Sequence, residues 1–254
     1  MQSSFPPEYS TTLPRRARAP WSFRELSAVV GLAVLIAVVV IIVGAIAAAA
    51  LPAAVVDDLD SDTTQVVAIG SAFYLSLGAA TWLLIVRRKR LPWSSLGFVP
   101  VSPKILLTMI PAGFGLLILN ALLLAPVSFL LGLSSEERAK EQQESFSPDG
   151  SGFPVLEYMG LFFLLAILAP LIEELVFRGL LYGYLRGRAG IALSVIVSAL
   201  IFAVLHVVIP PLFVMGAILA ILAERNRSLW PSIALHATNN GLIVIIIAIS
   251  SLSD

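Results

Sequence analysis

Long, almost charge-free apolar runs dominate this chain, and they limit what it can fold into more than any other feature. The runs cover residues 27–51, 66–86, 105–131, 155–185, 191–209, 212–223 and 229–252. A helix that crosses the hydrocarbon core of a bilayer needs about 20 predominantly apolar residues. The expected fold is therefore all-α: a polytopic membrane helix bundle of about seven spans, with six to eight compatible. The fourth run is overlong and carries Pro170, which predicts a tilt, a kink or a start outside the hydrocarbon. The sixth is short and is expected to be a partial span packed inside the bundle. The first run ends in Ala48-Ala49-Ala50, which has the small residues of a leader cleavage site, but the run is too long for a signal-peptide core.

Composition excludes the other classes. Hydrophobic residues make up 58% of the chain and charged residues 13%, with a mean hydropathy of +0.95. A soluble domain is nearer half apolar and a quarter charged, and a disordered chain is poor in Val, Ile and Leu. There are no cysteines, which removes disulfides, thiolate metal sites and cysteine nucleophiles. The 16 Lys and Arg balance the 16 Asp and Glu, so there is no global basic field and no expectation of nucleic acid as a partner.

The placement of those charges is informative. Arg15, Arg16, Arg18 and Arg24 precede or open the first run, and Asp57, Asp58, Asp60 and Asp62 follow it. Arg87-Arg88-Lys89-Arg90 and Lys104 come next, then a loop with Glu136, Glu137, Glu141, Glu144 and Asp149 against Arg138 and Lys140. Arg186 and Arg188, a bare Pro210-Pro211 turn, and Arg225 with Arg227 complete the series. Every odd connection is basic and every even one acidic or neutral. Cytoplasmic loops carry the excess of Lys and Arg, so the N-terminus is expected inside and the C-terminus outside. The organisation is a flexible cytoplasmic arm over 1–25, membrane helices and loops over 26–150, and a distinct helical core over 151–254. Trp82 and Trp93 suit an interfacial belt.

Ionisable groups inside apolar helices cost about 2.5–3.5 kcal/mol each on insertion scales. Here they form three clusters, all in the C-terminal half: Glu173-Glu174 with Arg178, Phe202 with His206, and His236 with Asn240. The two histidines are the only ones in the protein. Residues four apart share a helix face, so Glu174 and Arg178 can pair, while Glu173 lies about 100° round the helix and faces elsewhere. Phe202 and Phe177 read as packing, and Asn120, Thr108 and Ser128 as helix contacts. Each cluster alone has a structural reading: an ion pair, a hydrogen-bonded histidine, an amide bridging helices. Three clusters in three helices, using every histidine, favour one shared site. A carboxylate that takes a proton from water, with nitrogen donors to steady an oxyanion, is the equipment of general-base hydrolysis.

Glu173, His206 and His236 also supply three ligands of the kind that hold Zn²⁺ or another divalent metal with a position left for water. The His-Glu-x-x-His arrangement of zinc proteases is absent, so metal-bound and metal-free readings both stand. No Gly-x-Ser-x-Gly lies near either histidine, which disfavours serine catalysis. No Asp falls within a span, which disfavours an aspartate dyad.

Together, Glu173-Glu174-x-x-x-Arg178, Phe202-x-x-x-His206 and His236-x-x-x-Asn240 resemble the signature motifs of the CAAX protease and bacteriocin-processing (CPBP, or Abi) family, which includes the type II CAAX prenyl endopeptidase. The resemblance covers about 155–252, so 151–254 becomes a CPBP-like catalytic helical core. It implies a polar intramembrane cavity opening to the cytoplasmic side. It also implies that Glu173 activates water, that His206 helps hold it, that Glu174 and Arg178 position the carboxylate, and that His236 and Asn240 form the oxyanion site. The family is classed as metal-dependent, and a metal-free glutamate mechanism is also argued for its prenyl-protease members. The expected function is an intramembrane endopeptidase acting on a membrane-tethered or amphipathic peptide, or a membrane-protein substrate, in the lipid bilayer of a bacterial plasma membrane. The rival readings are a non-catalytic scaffold or regulator of another membrane protein, and a small transporter. The sequence carries no signal for oligomeric state.

Overall fold

Ser22 decides where the chain enters its first helix. Its side chain accepts a hydrogen bond from Glu25 N–H, and the Glu25 carboxylate accepts one from Ser22 N–H at 2.7 Å, a reciprocal capping box. Helix α1 then runs Phe23–Ala48, beginning before the purely apolar run because the cap lies in the polar residues ahead of it. The computed structural model describes residues 18–49, 62–130, 155–206 and 209–251. Most of the expected N-terminal arm, the aspartates Asp57, Asp58 and Asp60, and the acidic loop from Glu136 to Asp149 lie outside the described residues.

Among the described residues every regular element is helical. Helix α2, Asp62–Thr81, runs on as a wider π-helical stretch, Trp82–Arg87, and a short 3₁₀ turn, Trp93–Leu96, leads to α3, Pro103–Leu130. The segments Val155–Phe162, Phe163–Leu168, Ala169–Glu174 and Leu175–Tyr182 follow without a break and together form α4. Then come α5, Gly183–Leu205, α6, Ile209–Asn226, and α7, Trp230–Ser251.

Among the described residues six helical stretches are long and apolar enough to cross a membrane, and one of them, Val155–Leu205, has 51 residues. At 1.5 Å per residue that would be about 77 Å, more than twice the hydrocarbon thickness. The chain avoids this by turning at Gly190, whose φ of 81° and ψ of −179° leave the helical region. Glycine adopts such a backbone without the Cβ penalty. The fold-back brings the rings of Phe177 and Phe202 to 5.0 Å between centroids. The turn falls between the expected runs 155–185 and 191–209. The expected partial span over 212–223 is instead the 18-residue helix α6. Pro210 and Pro211 belong to its first turn, where the missing N–H of proline would have no intrahelical partner anyway.

Two apolar clusters hold the bundle around α4. One joins α1, α2 and α4 through Val29, Leu77, Ile85, Leu164, Leu168 and Ile172, with Leu96 and Trp21 at its end. The other joins α3, α6 and α7 through Leu116, Met215, Leu219 and Leu235. Large apolar side chains such as Leu35, Ile46, Leu122 and Leu193 stay exposed along the helices, the continuous apolar exterior expected of a molecule surrounded by lipid.

One end of the bundle gathers the cations. Trp21 Nε1 donates to Leu180 O, Lys89 pairs with Glu25 at 2.8 Å, and Arg186 pairs with Glu224 at 3.0 Å, where Tyr182 also donates. Ser228 Oγ donates to Val99 O, and Leu229 N–H to Gly97 O. These links bring the start of α1, the end of α2, the start of α3, the end of α4 and the α6–α7 turn to one face. Trp82 and Trp93 are both partly exposed, and the Arg87 guanidinium lies 5.5 Å from the Trp82 ring.

Candidate active site

Pro170 has no N–H to give to the helix and its ring crowds the carbonyl four residues back. The wide π-helical stretch Phe163–Leu168 directly before it absorbs that misfit, and a second such stretch starts directly after Glu174. Single π-turns inside α-helices are rare and recur at functional sites. Between the two, adjacent carboxylates point to different neighbours, as helical geometry requires.

Glu174 points into the protein and is fully buried. Its Oε1 accepts from Arg178 Nη1 at 2.7 Å, and Arg178 Nη2 donates onward to Gly216 O at 3.0 Å. The same Oε1 lies 3.2 Å from His236 Nδ1. Glu173 points instead into a cavity of about 510 Å³. His206 Nε2 stands 3.6 Å from its Oε1 and His236 Nε2 3.7 Å from its Oε2. The Tyr74 hydroxyl of α2 donates to Oε1 as well.

The outer nitrogens of both imidazoles are committed. A carbonyl can only accept, so the 2.7 Å contact between His206 Nδ1 and Phe202 O places the proton on Nδ1. His236 Nδ1 likewise faces the Glu174 carboxylate. Both rings therefore turn Nε2 toward Glu173. Phe202 is the wedge that sets them: its ring centroid lies 4.4 Å from that of His206 and 6.0 Å from that of His236, with the Arg178 guanidinium 4.7 Å away. Expected as packing, it packs against three of the polar groups at once.

Asn240 lines the same cavity and donates from Nδ2 to Leu165 O at 3.0 Å. All six residues singled out in the sequence, Glu173, Glu174, Arg178, His206, His236 and Asn240, thus meet in one place. Tyr74 and Asn239 were not singled out. Asn239 is buried, donates to Asn240 Oδ1 and accepts from Asn120, which also lines the cavity. Its position three residues after His236 was a legible signal; Tyr74, alone in an apolar run, offered none.

The three candidate metal ligands converge, but among the described residues no group of three His, Cys, Asp or Glu side chains is arranged so that it could hold a metal ion.

A multi-spanning bundle with a buried carboxylate–imidazole centre is the class that fold and site define. Residues 155–242 match the family model of the type II CAAX prenyl endopeptidase, Rce1-like. Two bacterial proteins are similar over part of their length. YdiL of Bacillus subtilis (strain 168), a membrane-peptidase candidate by name, is 29% identical over 83 residues, covering 32% of this chain and 34% of YdiL. The membrane-embedded CAAX protease MroQ of Staphylococcus aureus (strain USA300) is 36% identical over 92 residues, covering 33% of this chain and 37% of MroQ. The match thus spans about a third of each relative. No solved structure matches the chain.

Proposed function

We propose that the protein is a glutamate-dependent intramembrane endopeptidase, and the observation that carries this reading is Glu173 facing a cavity with two imidazole Nε2 atoms turned toward it. In this reading Glu173 takes a proton from water as the water oxygen attacks a peptide carbonyl carbon. His206 Nε2 holds that water through its lone pair. Asn240 Nδ2 has a second N–H beyond the one given to Leu165 O, and directs it at the oxyanion; His236 Nε2 joins it when the ring carries both protons. Collapse of the tetrahedral intermediate expels the amine, which receives the proton from Glu173. Glu174 and Arg178 hold His236 and the helix in place without touching substrate. The apolar part of the cavity wall, with Leu117, Leu124, Leu165, Met215 and Ile243, suits a membrane-tethered or amphipathic peptide. Two bacterial relatives support a bacterial plasma membrane as the site of action.

The test compares wild type with Glu173→Gln at matched membrane levels, by mass spectrometry of cellular peptides and membrane-protein termini. Loss of a general base lowers turnover by about 10²–10⁴-fold. Termini present only with Glu173 establish the peptidase. Identical termini in both, with an unchanged phenotype, would establish a scaffold instead. Activity that survives dialysis against a chelator supports the metal-free form; activity lost to chelator and restored by Zn²⁺ assigns Glu173, His206 and His236 as ligands.

A further inference from the structure

Three arginines line a second cavity, of about 330 Å³, at the basic end of the bundle. Arg18 comes from the segment ahead of α1, Arg178 from α4 and Arg227 from the α6–α7 turn. This cavity shares no lining residue with the one that contains Glu173, and no Asp or Glu lines it. Arg178 has its counter-charge in Glu174 at 2.7 Å. Arg18 and Arg227 make no ion pair among the described residues, so two positive charges stand at the cavity unmatched.

Arg178 adds a more specific sign. It is 3% exposed, its Nη1 donates to Glu174 and its Nη2 to Gly216 O, yet its Nε–H has no acceptor among the described residues. Buried donors in native proteins are nearly always satisfied, and an orphaned one on a charged group is the most costly kind, so its presence on a cavity-lining residue marks a place for an acceptor. The remaining wall is partly apolar, with Trp21, Leu96 and Leu229 buried in it. Lys89 Nζ donates to Pro20 O at the cavity's edge, beside Arg87, Arg88 and Arg90. Such a cluster of cations is too costly to place in hydrocarbon, so this end of the bundle lies at headgroup depth.

We propose that this cavity is a phosphate site, filled in the bilayer by the headgroup of an anionic phospholipid. Arg18 and Arg227 supply the unmatched charge, the Arg178 Nε–H is the innermost donor, and the apolar wall receives the glycerol end of the lipid. Phosphate oxygens accept charge-assisted hydrogen bonds from several guanidinium groups at once, and basic pockets between membrane helices are where anionic headgroups bind. A lipid held there ties the start of α1, the end of α4 and the α6–α7 turn together, and so stabilises the folded bundle by mass action. Free inorganic phosphate shares the chemistry but lacks the apolar part. The proposal is independent of the peptidase reading, since neither Arg18 nor Arg227 belongs to the Glu173 cavity.

The test uses the full chain purified in a neutral detergent. Its unfolding midpoint is followed as phosphatidylglycerol, phosphatidylcholine or inorganic phosphate is added, and native mass spectrometry counts the lipid retained. Phosphatidylglycerol is expected to raise the midpoint and to leave one lipid bound, and phosphatidylcholine to do neither. Arg227→Gln should weaken half-saturation by roughly fivefold, the worth of one arginine near an anionic lipid. Arg18→Gln/Arg227→Gln should retain no lipid. Arg24→Gln/Arg88→Gln removes the same charge from exposed positions outside the cavity and should behave as wild type. Equal losses in the two double variants would reduce the effect to general surface attraction and overturn the proposal, as would phosphatidylcholine binding as well as phosphatidylglycerol. Inorganic phosphate matching phosphatidylglycerol, with the effect lost only in the cavity variants, keeps the phosphate site and overturns the lipid as its occupant. If the cavity double variant does not fold, lipid retention by Arg227→Gln, whose side chain makes no ion pair among the described residues, decides the question on its own.

Discussion

Glu174 and Arg178 form an ion pair with almost no exposed surface, and Glu174 Oε1 serves Arg178 and His236 together. Removing one partner of such a pair leaves an uncompensated buried charge, which costs about 3–5 kcal/mol, whereas replacing both with apolar residues is often neutral. Glu174→Leu should therefore lower the thermal stability of the detergent-purified protein by roughly that amount. The double variant Glu174→Leu/Arg178→Leu should recover much of the loss. Both should stay inactive, because His236 Nδ1 has lost the acceptor that fixes its ring. Thermal unfolding together with the termini assay checks the separation between holding the fold and holding the site. Glu173 differs in kind: it is buried too, yet its neighbours are imidazoles and a tyrosine hydroxyl rather than a cation that neutralises it permanently.

At the scale of the helix, the decisive contacts are close approaches. A Cβ on Gly113 of α3 would stand 2.5 Å from Thr238 Cγ2 and 2.8 Å from Thr238 Cβ on α7, while one on Gly115, a half-turn away, would meet nothing within 4 Å. Overpacking of this kind typically costs about 1–3 kcal/mol. Gly113→Ala should destabilise the bundle by that order and weaken activity, since α7 carries His236 and Asn240. Gly115→Ala should be neutral or slightly stabilising, because alanine favours the helix over glycine by about 1 kcal/mol. Unfolding midpoints of the two variants decide it. The apolar runs located α3 and α7 but not their facing residues, since a lipid-exposed face and a buried face of such helices are equally apolar.

For the molecule as a whole, the motif-bearing half packs against the helices that precede it. Helix α4 is covered by Leu77 and Ile85 of α2 and by Val29 of α1, Tyr74 reaches Glu173 from α2, and Asn120 reaches Asn239 from α3. A chain of residues 151–254, which retains every motif, should accordingly fail to purify as a monodisperse species and should show no Glu173-dependent termini. Co-expression with residues 1–150 should restore both, and size-exclusion profiles with the termini assay check it. The all-α membrane class, the common end for the basic connections and the six motif residues were all legible in the sequence. Hydrophobic length, charge placement and four-residue spacing are local properties written directly along the chain. The fold-back at Gly190 and the part played by Tyr74 belong to the tertiary structure alone. They depend on which helix faces meet, and in a chain whose helices are apolar all round, only packing in three dimensions distinguishes one face from another.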